Sequence, residues 1–272
     1  HTVFAGIMVK AISWTGVLVV KMKDVAELAG VSNAAVSRYL NGGYISTDKA
    51  ERIKRAIEQT GYVRSNQARA LRTGSTKLIG VIVPKINSES VSRITAGIGQ
   101  VLGRRRYQML LANTDNVAER ELEYLDLFQN QPVDGIVLVA TMITDEHRAA
   151  IASCRVPLVL LGQQVEGAAC VYLDDYEAAF ELGHALAGRV DGKIAYIGVT
   201  EEDRAAGYDR RHGFEAGLRA AGVSLDPGLI RQGSFTLDSG YVAARELLAD
   251  VPDVSFIACA TDIMAAGALR AI

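Results

Sequence analysis

The chain has 272 residues, of which 49% are hydrophobic and 22% are charged, with a formal net charge of -2. This composition is that of an ordinary folded protein and excludes a disordered chain, and the length is sufficient for more than one domain. No stretch approaches the roughly eighteen consecutive apolar residues of a membrane span, so we expect no membrane contact.

The cysteines and histidines show no pattern of a metal or disulfide site. Cys154, Cys170 and Cys259 are scattered without the paired spacing of a disulfide or a zinc ligand set, and the histidines do not cluster at ligand spacing. The cysteines therefore predict buried structural thiols in a reducing compartment. We expect a cytoplasmic protein without a metal and without a cofactor.

Charge is distributed unevenly along the chain. Residues 22–76 contain nine Lys or Arg and five Asp or Glu, whereas residues 77–272 contain 18 basic and 26 acidic residues. A basic N-terminal part followed by an acidic body is typical of a polyanion-binding head joined to a soluble regulatory body.

Residues 1–21 do not fit the pattern of the rest. They are broken by Lys10 and have no small-residue cleavage site, although a signal peptide is an alternative. We expect Met22 to be the natural start and residues 1–21 to be a leader that is non-native or disordered and lies outside the fold.

The stretch from Asp24 to Asn41 predicts two short helices joined by a tight turn. Asp24, followed three residues later by Glu27, resembles a capping-box start. Gly30 stands where a helix end needs a left-handed residue, and Ser32 can cap the next helix. The apolar positions expected to be buried in the first helix are Val25, Ala26, Leu28 and Ala29.

The second helix of this stretch has one apolar and one polar face. The expected inward residues are Ala35, Val36, Tyr39 and Leu40, and the expected outward residues are Asn33, Ala34, Ser37 and Arg38. This arrangement is that of a helix-turn-helix, whose second helix enters the major groove of DNA. Ordinary packing of two amphipathic helices gives the same pattern and is the alternative.

A third helix and a basic linker follow. Ser46 is the predicted N-cap and Gly61 the stop of a helix that buries Ile53, Ala56 and Ile57, which completes a head over residues 22–62. Residues 63–76 are too short and too basic for a stable isolated helix. They predict either a solvated linker or a hinge that orders on DNA, with arginines on phosphates and Leu71 between base steps.

From residue 77 onwards, apolar runs of strand length alternate with amphipathic stretches. The predicted strands are 78–83, 107–112, 135–140, 157–161, 194–198 and 255–260, and the predicted helices include 118–130, 175–187, 213–221 and 239–249. This alternation predicts parallel sheets covered on both faces. Ligands bind such sheets at the carboxyl ends of the strands, which here are followed by Pro84, Thr141, Gly162, Val199 and Thr261.

The segments DVAELAGVSNAAVSRYLN, GYISTDKAERIKRAIEQTGY and ARALRTGSTKLIGVIVP resemble the head, hinge and first core strand of the LacI/GalR family of bacterial transcription regulators. The resemblance continues through VDGIVLVA, VPLVLLG, KIAYIG, RRHGFEAGL, FTLDSGY and ATDIMAAGALRAI, nearly to the end of the chain. The implied fold is multi-domain, with an all-α helix-turn-helix head and an α/β periplasmic-binding-protein-like core of two parallel-sheet subdomains, residues 77–173 and 174–272.

The resemblance implies a sequence-specific DNA-binding regulator of a carbohydrate-utilisation operon, and we expect it to be a repressor. Such a protein is a homodimer whose heads bind the half-sites of palindromic double-stranded operator DNA, and a sugar or sugar phosphate in the core cleft shifts the heads. Since the family continues beyond the position of Ile272, the resemblance also implies a C-terminally incomplete core, which we expect to be marginally stable and prone to aggregation.

The DNA-binding residues implied by the resemblance are Ser32, Asn33, Ala34, Ser37, Arg38, Asn41, Arg69 and Leu71. Arg38 has the chemistry to bond guanine bidentately, although a phosphate contact is an alternative. Ala34 offers only a methyl group, while Ser32 and Ser37 are implied phosphate contacts. Leu71 corresponds to the minor-groove wedge of the family.

The effector-binding residues implied by the resemblance are Lys85, Gln163, Arg210, Thr261 and Asp262. An arginine buried without a partner is costly, so we expect an anionic or polyhydroxyl ligand at Arg210. Asp262 is either a ligand contact or a helix cap. Lys85 is either a solvated loop residue or a phosphate contact, as in the trehalose-operon repressors that VPLVLLGQQVEGAACVYLDDYEAA resembles.

Two other functions fit the sequence less well. A solute-binding protein of a sugar transporter shares the core architecture, but it would carry a cleavable signal peptide and no helix-turn-helix. An enzyme is not expected, because the sequence has no phosphate-binding GxxxxGK[ST], no GxSxG and no metal cluster. The neighbouring acids Asp174 and Asp175 are explained most simply as caps of the helix that follows.

Overall fold

A computed structural model describes residues 20–63 and 74–272. The chain divides into two compact units, residues 1–72 and 73–272. Within the described ranges, no helix is both long and apolar enough to cross a membrane. Arg69 and Leu71, and with them most of the predicted hinge, lie outside the described residues.

The first unit is built from three helices, α1 (Met22–Ala29), α2 (Asn33–Leu40) and α3 (Thr47–Thr60). Gly30 adopts a left-handed conformation with φ of 60°, which ends α1 and starts the tight turn to α2. The buried core residues are Val25, Ala26, Ala29, Val36, Ile53 and Ala56. These three helices and the turn give the predicted helix-turn-helix geometry.

The start of α1 differs from the prediction in two respects. The helix begins at Met22, and the Asp24 carboxylate accepts a hydrogen bond from the Lys21 amide at 2.7 Å, so Asp24 is the third helical residue. Val20 packs on the helical core. The fold therefore includes the last residues of the segment that the sequence analysis excluded as a leader.

Leu28 was predicted to be buried, but 54% of its surface is exposed. In an α-helix each residue turns the chain by about 100°, so Val25, Ala26 and Ala29 share one direction and Leu28 points about 100° away from it. The buried stripe of α1 is narrower than the apolar pattern suggests.

The second unit contains two parallel sheets. The first has five strands in the order β2–β1–β3–β4–β5, and the second has three in the order β7–β6–β8. The first-sheet strands are β1 (Leu78–Val83), β2 (Gln108–Asn113), β3 (Gly135–Val139), β4 (Leu158–Leu161) and β5 (Ala169–Val171). The second-sheet strands are β6 (Lys193–Gly198), β7 (Ile230–Gln232) and β8 (Val254–Cys259). We call the parts built on these sheets the first and second subdomains.

Helices cover both faces of each sheet. Those of the first subdomain are α4 (Glu89–Arg104), α5 (Ala118–Asn130) and α6 (Asp145–Ala152). Those of the second are α7 (Asp175–Ala187), α8 (Arg210–Ala220), α9 (Leu237–Asp250) and α10 (Asp262–Leu269). Along β1 the side chains alternate, because Ile82 packs with Leu125 of α5 while Val81 packs with Val91 of α4.

Two glycines bring α7 and α8 into backbone contact. A Cβ atom on Gly213 would lie 2.2 Å from the carbonyl oxygen of Tyr176, and one on Gly217 would lie 2.1 Å from that of Phe180. Neither distance is compatible with a side chain. A side chain at either position would therefore force the two helices apart.

The predicted strands agree with the structure within a residue or two, but β5 and β7 were not predicted. Each of them has only three residues, which is too short for an apolar run to be recognised. The helix predicted at 213–221 begins at Arg210 and follows a π-helical turn, Arg204–Asp209. All three cysteines are free, and they are half-buried where the sequence predicted buried thiols.

The serines at the starts of α2 and α3 differ in their hydrogen bonds. Ser32 Oγ accepts a hydrogen bond from the Ala35 amide at 3.2 Å, whereas the Ser46 side chain makes no such bond at the start of α3. We expect Ser32→Ala to lower the free energy of unfolding of the head by about 1 kcal/mol and Ser46→Ala to lower it by only a few tenths. Urea unfolding of the two variants measures this, and equal losses would contradict the assigned cap.

Asp134 anchors the start of the second unit. Its carboxylate accepts hydrogen bonds from the Ser75 hydroxyl, the Thr76 amide at 2.7 Å and the Lys77 amide at 3.1 Å. Burial alone would raise the pKa of Asp134, but the hydrogen bonds from these residues outweigh it and lower the pKa from 3.8 to about 2. The ionised carboxylate thus fixes the segment that leads into β1.

We expect Asp134→Asn to lower the free energy of unfolding by about 1 kcal/mol at neutral pH, a value reduced for the partial solvent exposure of the site. Because the pKa is lower in the folded state, this contribution is complete above the unfolded value of 3.8 and is lost as the pH falls towards 2. Denaturant unfolding at neutral and acidic pH tests this. Asp191→Asn, at an exposed position, is the control, and a loss equal to that of Asp134→Asn would contradict the assignment.

Candidate functional sites

The outer surface of α2 carries the predicted DNA-binding residues. Ser32, Asn33, Ala34 and Arg38 are exposed, Ser37 is half-buried, and the opposite face packs through the fully buried Val36. The predicted outward residues are therefore exposed except Ser37, and of the predicted inward residues Val36 is buried while Ala35, Tyr39 and Leu40 are half-buried. The N-terminal half of the helix presents polar and small side chains, as a helix that enters a DNA groove must.

Asn41 closes the far end of α2. Its side-chain Nδ2 donates to the Ser37 carbonyl oxygen at 2.6 Å, which satisfies one of the carbonyl groups that a helix end leaves unpaired. Asn41 and Ser37, both predicted DNA contacts, are thus linked to each other. The bond stabilises the C-terminal turn of α2.

Arg38 lies against the loop that follows α2. The Gly43 amide donates to the Arg38 carbonyl oxygen at 2.9 Å, and a Cβ atom on Gly43 would lie 2.8 Å from Arg38 Cγ. The absence of a side chain at Gly43 therefore leaves room for the stem of Arg38. Within residues 20–63 and 74–272, the Arg38 guanidinium forms no ion pair, so its charge is available to an external anion or base.

In the second unit, Arg210 is the centre of a polar cluster at the start of α8. Its Nε donates to Asp175 Oδ1 at 2.7 Å, and its Nη1 donates to the Ala260 carbonyl oxygen, also at 2.7 Å. Arg210 therefore has two protein partners, in addition to which the predicted ligand would have to bind. An arginine has five N–H donors. Among the residues that the structure describes, these two bonds use two of the donors, and three are left for a ligand.

Asp174 and Asp175 have different roles, although both were predicted to be caps. Asp174 Oδ1 accepts from the Glu177 amide at 3.0 Å and caps α7 as predicted. Asp175 is the first residue of α7 and pairs with Arg210, which is 35 positions later in the chain. Sequence spacing gives no sign of such a pair, because it forms only when α7 packs on α8.

A cavity of about 300 Å³ adjoins Arg210 and Asp175. Its other lining residues are Ala178, Ala179, Leu182, Tyr196, Phe214, Ala258, Cys259 and Ala260. Burial raises the pKa of the Cys259 thiol to about 11 and also raises the pKa of the Tyr196 hydroxyl. Both groups are therefore neutral at physiological pH, and the cavity has a largely apolar wall with one charged pair at its edge.

Thr261 and Asp262 follow β8 and start α10. Thr261 is the N-cap, since its Oγ1 accepts from the Met264 amide at 3.4 Å, and Asp262 is the exposed first helical residue. The alternative that Asp262 is the cap is therefore wrong. Because Arg210 bonds to the carbonyl oxygen of Ala260, the predicted effector residues Arg210 and Thr261 both lie at the carboxyl end of β8. Lys85, which is half-exposed, lies in the loop after β1 of the other sheet.

Gln163 is 4% exposed and follows β4. Its Nε2 donates to the Thr141 carbonyl oxygen at 2.6 Å and to Asp203 Oδ1 at 2.9 Å. Asp203, also 4% exposed, was not singled out in the sequence, although an acid just after a predicted strand is a usable signal. Burial raises the pKa of Asp203, while hydrogen bonds from the Ala206 amide and Gln163 oppose this rise.

In residues 20–63 and 74–272 no three side chains of the metal-binding types come together. The described sites are thus a polar helix face in the first unit and, in the second unit, polar groups at the carboxyl ends of parallel strands. Such an arrangement binds ligands by hydrogen bonds and ion pairs.

The chain matches two family models. Residues 21–65 match "Bacterial regulatory proteins, lacI family", and residues 76–272 match "Periplasmic binding proteins and sugar binding domain of LacI family". The sucrose operon repressor of Staphylococcus xylosus is 35% identical over 89% of this chain and 75% of its own length. The regulator CelR of Thermobifida fusca is 33% identical over 92% of this chain and 76% of its own length.

Solved structures show the same architecture. A transcriptional regulator CelR–cellobiose complex is 30% identical with a TM-score of 0.63, covering 92% of this chain and 77% of that one. A LacI family protein from Silicibacter pomeroyi is 26% identical with a TM-score of 0.78, covering 93% and 77%. Together with a helix-turn-helix that exposes Arg38 and a core of two parallel sheets, these matches show that the chain belongs to the LacI family of bacterial regulatory proteins.

Proposed function

We propose that this protein is a repressor of a carbohydrate-utilisation operon, with operator affinity controlled by a sugar or sugar phosphate bound in the core. The observation that carries the proposal is the combination, on one chain, of the exposed polar face of α2 and the polar strand ends around Arg210. A transporter's solute-binding protein needs the ligand-binding strand ends but not a DNA-binding helix. The match of residues 21–65 to a DNA-binding family model thus favours the regulator.

In the proposed complex, α2 enters the major groove. Arg38 is the principal polar base contact, because its fork fits two acceptors of guanine, and Asn33 has an amide suited to adenine. Ser32 and Ser37 contact phosphates, Asn41 supports the end of the helix, and Ala34 offers a methyl contact. The hinge roles of Arg69 on phosphate and of Leu71 as a minor-groove wedge belong to the same proposal.

The proposed effector site is centred on Arg210. Its three remaining N–H donors, the carboxylate of Asp262 and the hydroxyl of Thr261 are suited to the hydroxyl groups of a sugar. Lys85 supplies a positive charge for a phosphate group. The names of two relatives support a sugar, since one is a sucrose operon repressor and another was solved with cellobiose.

We further propose that the active form is a cytoplasmic homodimer. β2 is an edge strand of the five-stranded sheet, and it leaves Leu110 39% and Leu111 45% exposed. On α4, which packs beside β2, Val101 is 57% exposed. An exposed edge strand with apolar side chains favours association, and a second copy of the chain covers both apolar surfaces at once.

DNA binding is tested by anisotropy titration of the protein with palindromic duplexes that it enriches from a random pool, and with a random duplex of equal length. We expect a clear preference for the enriched duplex. Each guanine contact contributes about 1–3 kcal/mol, and a dimer makes it twice, so Arg38→Ala should remove most of this preference. Lys85→Ala is the control and should leave it intact. Equal affinity of the unchanged protein for both duplexes would contradict the function.

Effector binding is tested by thermal-shift measurements with neutral mono- and disaccharides, with sugar phosphates, and with inorganic phosphate as a control. A ligand at a hundred times its Kd stabilises the folded state by about 2.7 kcal/mol, which gives a measurable rise in Tm. Arg210→Ala should abolish the rise for every sugar, and Lys85→Ala should abolish it for sugar phosphates only. If only neutral sugars raise the Tm, the phosphate role of Lys85 is wrong, and if none does, the sugar effector is wrong.

A further inference from the structure

One side-chain amide joins the two subdomains. Gln163 follows β4 of the first sheet, and Asp203 follows β6 of the second, yet Gln163 Nε2 lies 2.9 Å from Asp203 Oδ1. The same nitrogen donates to the Thr141 carbonyl oxygen at 2.6 Å, which is in the loop after β3. An amide nitrogen has two hydrogens, so both are used by these bonds and neither is left for a ligand.

The acceptor of this bond, the Asp203 carboxylate, is also held in place by its own subdomain. Asp203 Oδ1 also accepts from the Ala206 amide at 3.0 Å, which anchors the carboxylate to the π-helical turn leading into α8. Two charged groups of the second subdomain also act on Asp203, since Arg210 on α8 lowers its pKa and Asp175 on α7 raises it. A hydrogen bond to a buried charged group is stronger than one between neutral groups, so the loss of the bond from Gln163 destabilises the Asp203 carboxylate even though the bond from Ala206 remains.

We propose that Gln163 and Asp203 form a bridge that holds the two subdomains in the arrangement seen in this structure, so that Gln163 is a positioning residue of the core. This assignment replaces the predicted effector contact at Gln163. The bridge stabilises this arrangement of the core, so a ligand can favour a different arrangement only if it binds that one more tightly. The inference rests on the proposed function only in treating the core as the sensor, and its test involves neither DNA nor an effector.

Hydrogen–deuterium exchange of the whole protein tests the bridge. In Gln163→Leu we expect about tenfold faster exchange of the amides in residues 141–144 and also in residues 203–208 of the other subdomain, since a hydrogen bond to a charged group is lost. Gln164→Leu is the matched control, because Gln164 is the exposed neighbour, and it should leave both segments unchanged. Asp203→Ser keeps a cap for Ala206 but is too short to reach Gln163, and should resemble Gln163→Leu.

A second variant separates the bridge from general damage. In Gln163→Glu two carboxyl groups meet, and one shared proton restores a hydrogen bond between them at low pH, whereas two ionised groups repel each other at high pH. Relative to the unchanged protein at the same pH, exchange in 203–208 should be near normal at about pH 5 and fast at about pH 8. Gln163→Leu should show no such recovery.

Two results would overturn the bridge. One is faster exchange in Gln163→Leu that is confined to the first subdomain, because Asp203 would then not depend on Gln163. The other is a Gln163→Glu variant whose exchange relative to the unchanged protein does not vary with pH. If Gln163→Leu fails to fold, the pH dependence of Gln163→Glu decides between the bridge and a local packing role.

Discussion

The parallel pairing of the strands is the constraint on which the second unit depends. Every strand pair in its two sheets is parallel, so each strand must be followed by a crossover that returns the chain to the same end. The loops that leave the carboxyl ends therefore collect along one edge of each sheet. Thr141, Gln163, Asp203 and Thr261 all lie on such loops. Residues far apart in sequence are thus brought to common sites without any local motif.

The sequence predicted features that arise from local chemistry. Gly30 ends α1 and Gly61 ends α3 in left-handed conformations, and the longer strands are recognisable as apolar runs, which in the central strands β1 and β3 are mostly buried. Features that depend on packing were not predictable. The pairs Arg210–Asp175 and Gln163–Asp203 span 35 and 40 positions, and no period in the sequence specifies them. Leu28 was misplaced because the composition of a helix does not fix the width of its buried stripe.

The charge and orientation of Arg210 are both determined by neighbouring protein groups. Its charge is opposed by Asp175, and one end of its guanidinium is fixed on the Ala260 carbonyl oxygen, so its orientation is set by the protein. A ligand that approaches this arginine meets a neutral pair. That pair favours hydroxyl groups, which need directed donors, over a second carboxylate, which would be repelled by Asp175. The electrostatics of the site are therefore in keeping with a sugar ring.

The backbone contact between α7 and α8 also limits how the gene can change. Every single-nucleotide substitution of a glycine codon that alters the amino acid introduces a Cβ atom or ends the chain. At Gly213 and Gly217 that atom would lie within 2.2 Å of a carbonyl oxygen on α7. We therefore expect no neutral amino-acid substitution at these two positions. By contrast, the neighbouring Arg211 and Glu215 are only partly buried, and their ion pair tolerates exchange for other polar residues. The codons of α8 should thus evolve at two very different rates along a single helix.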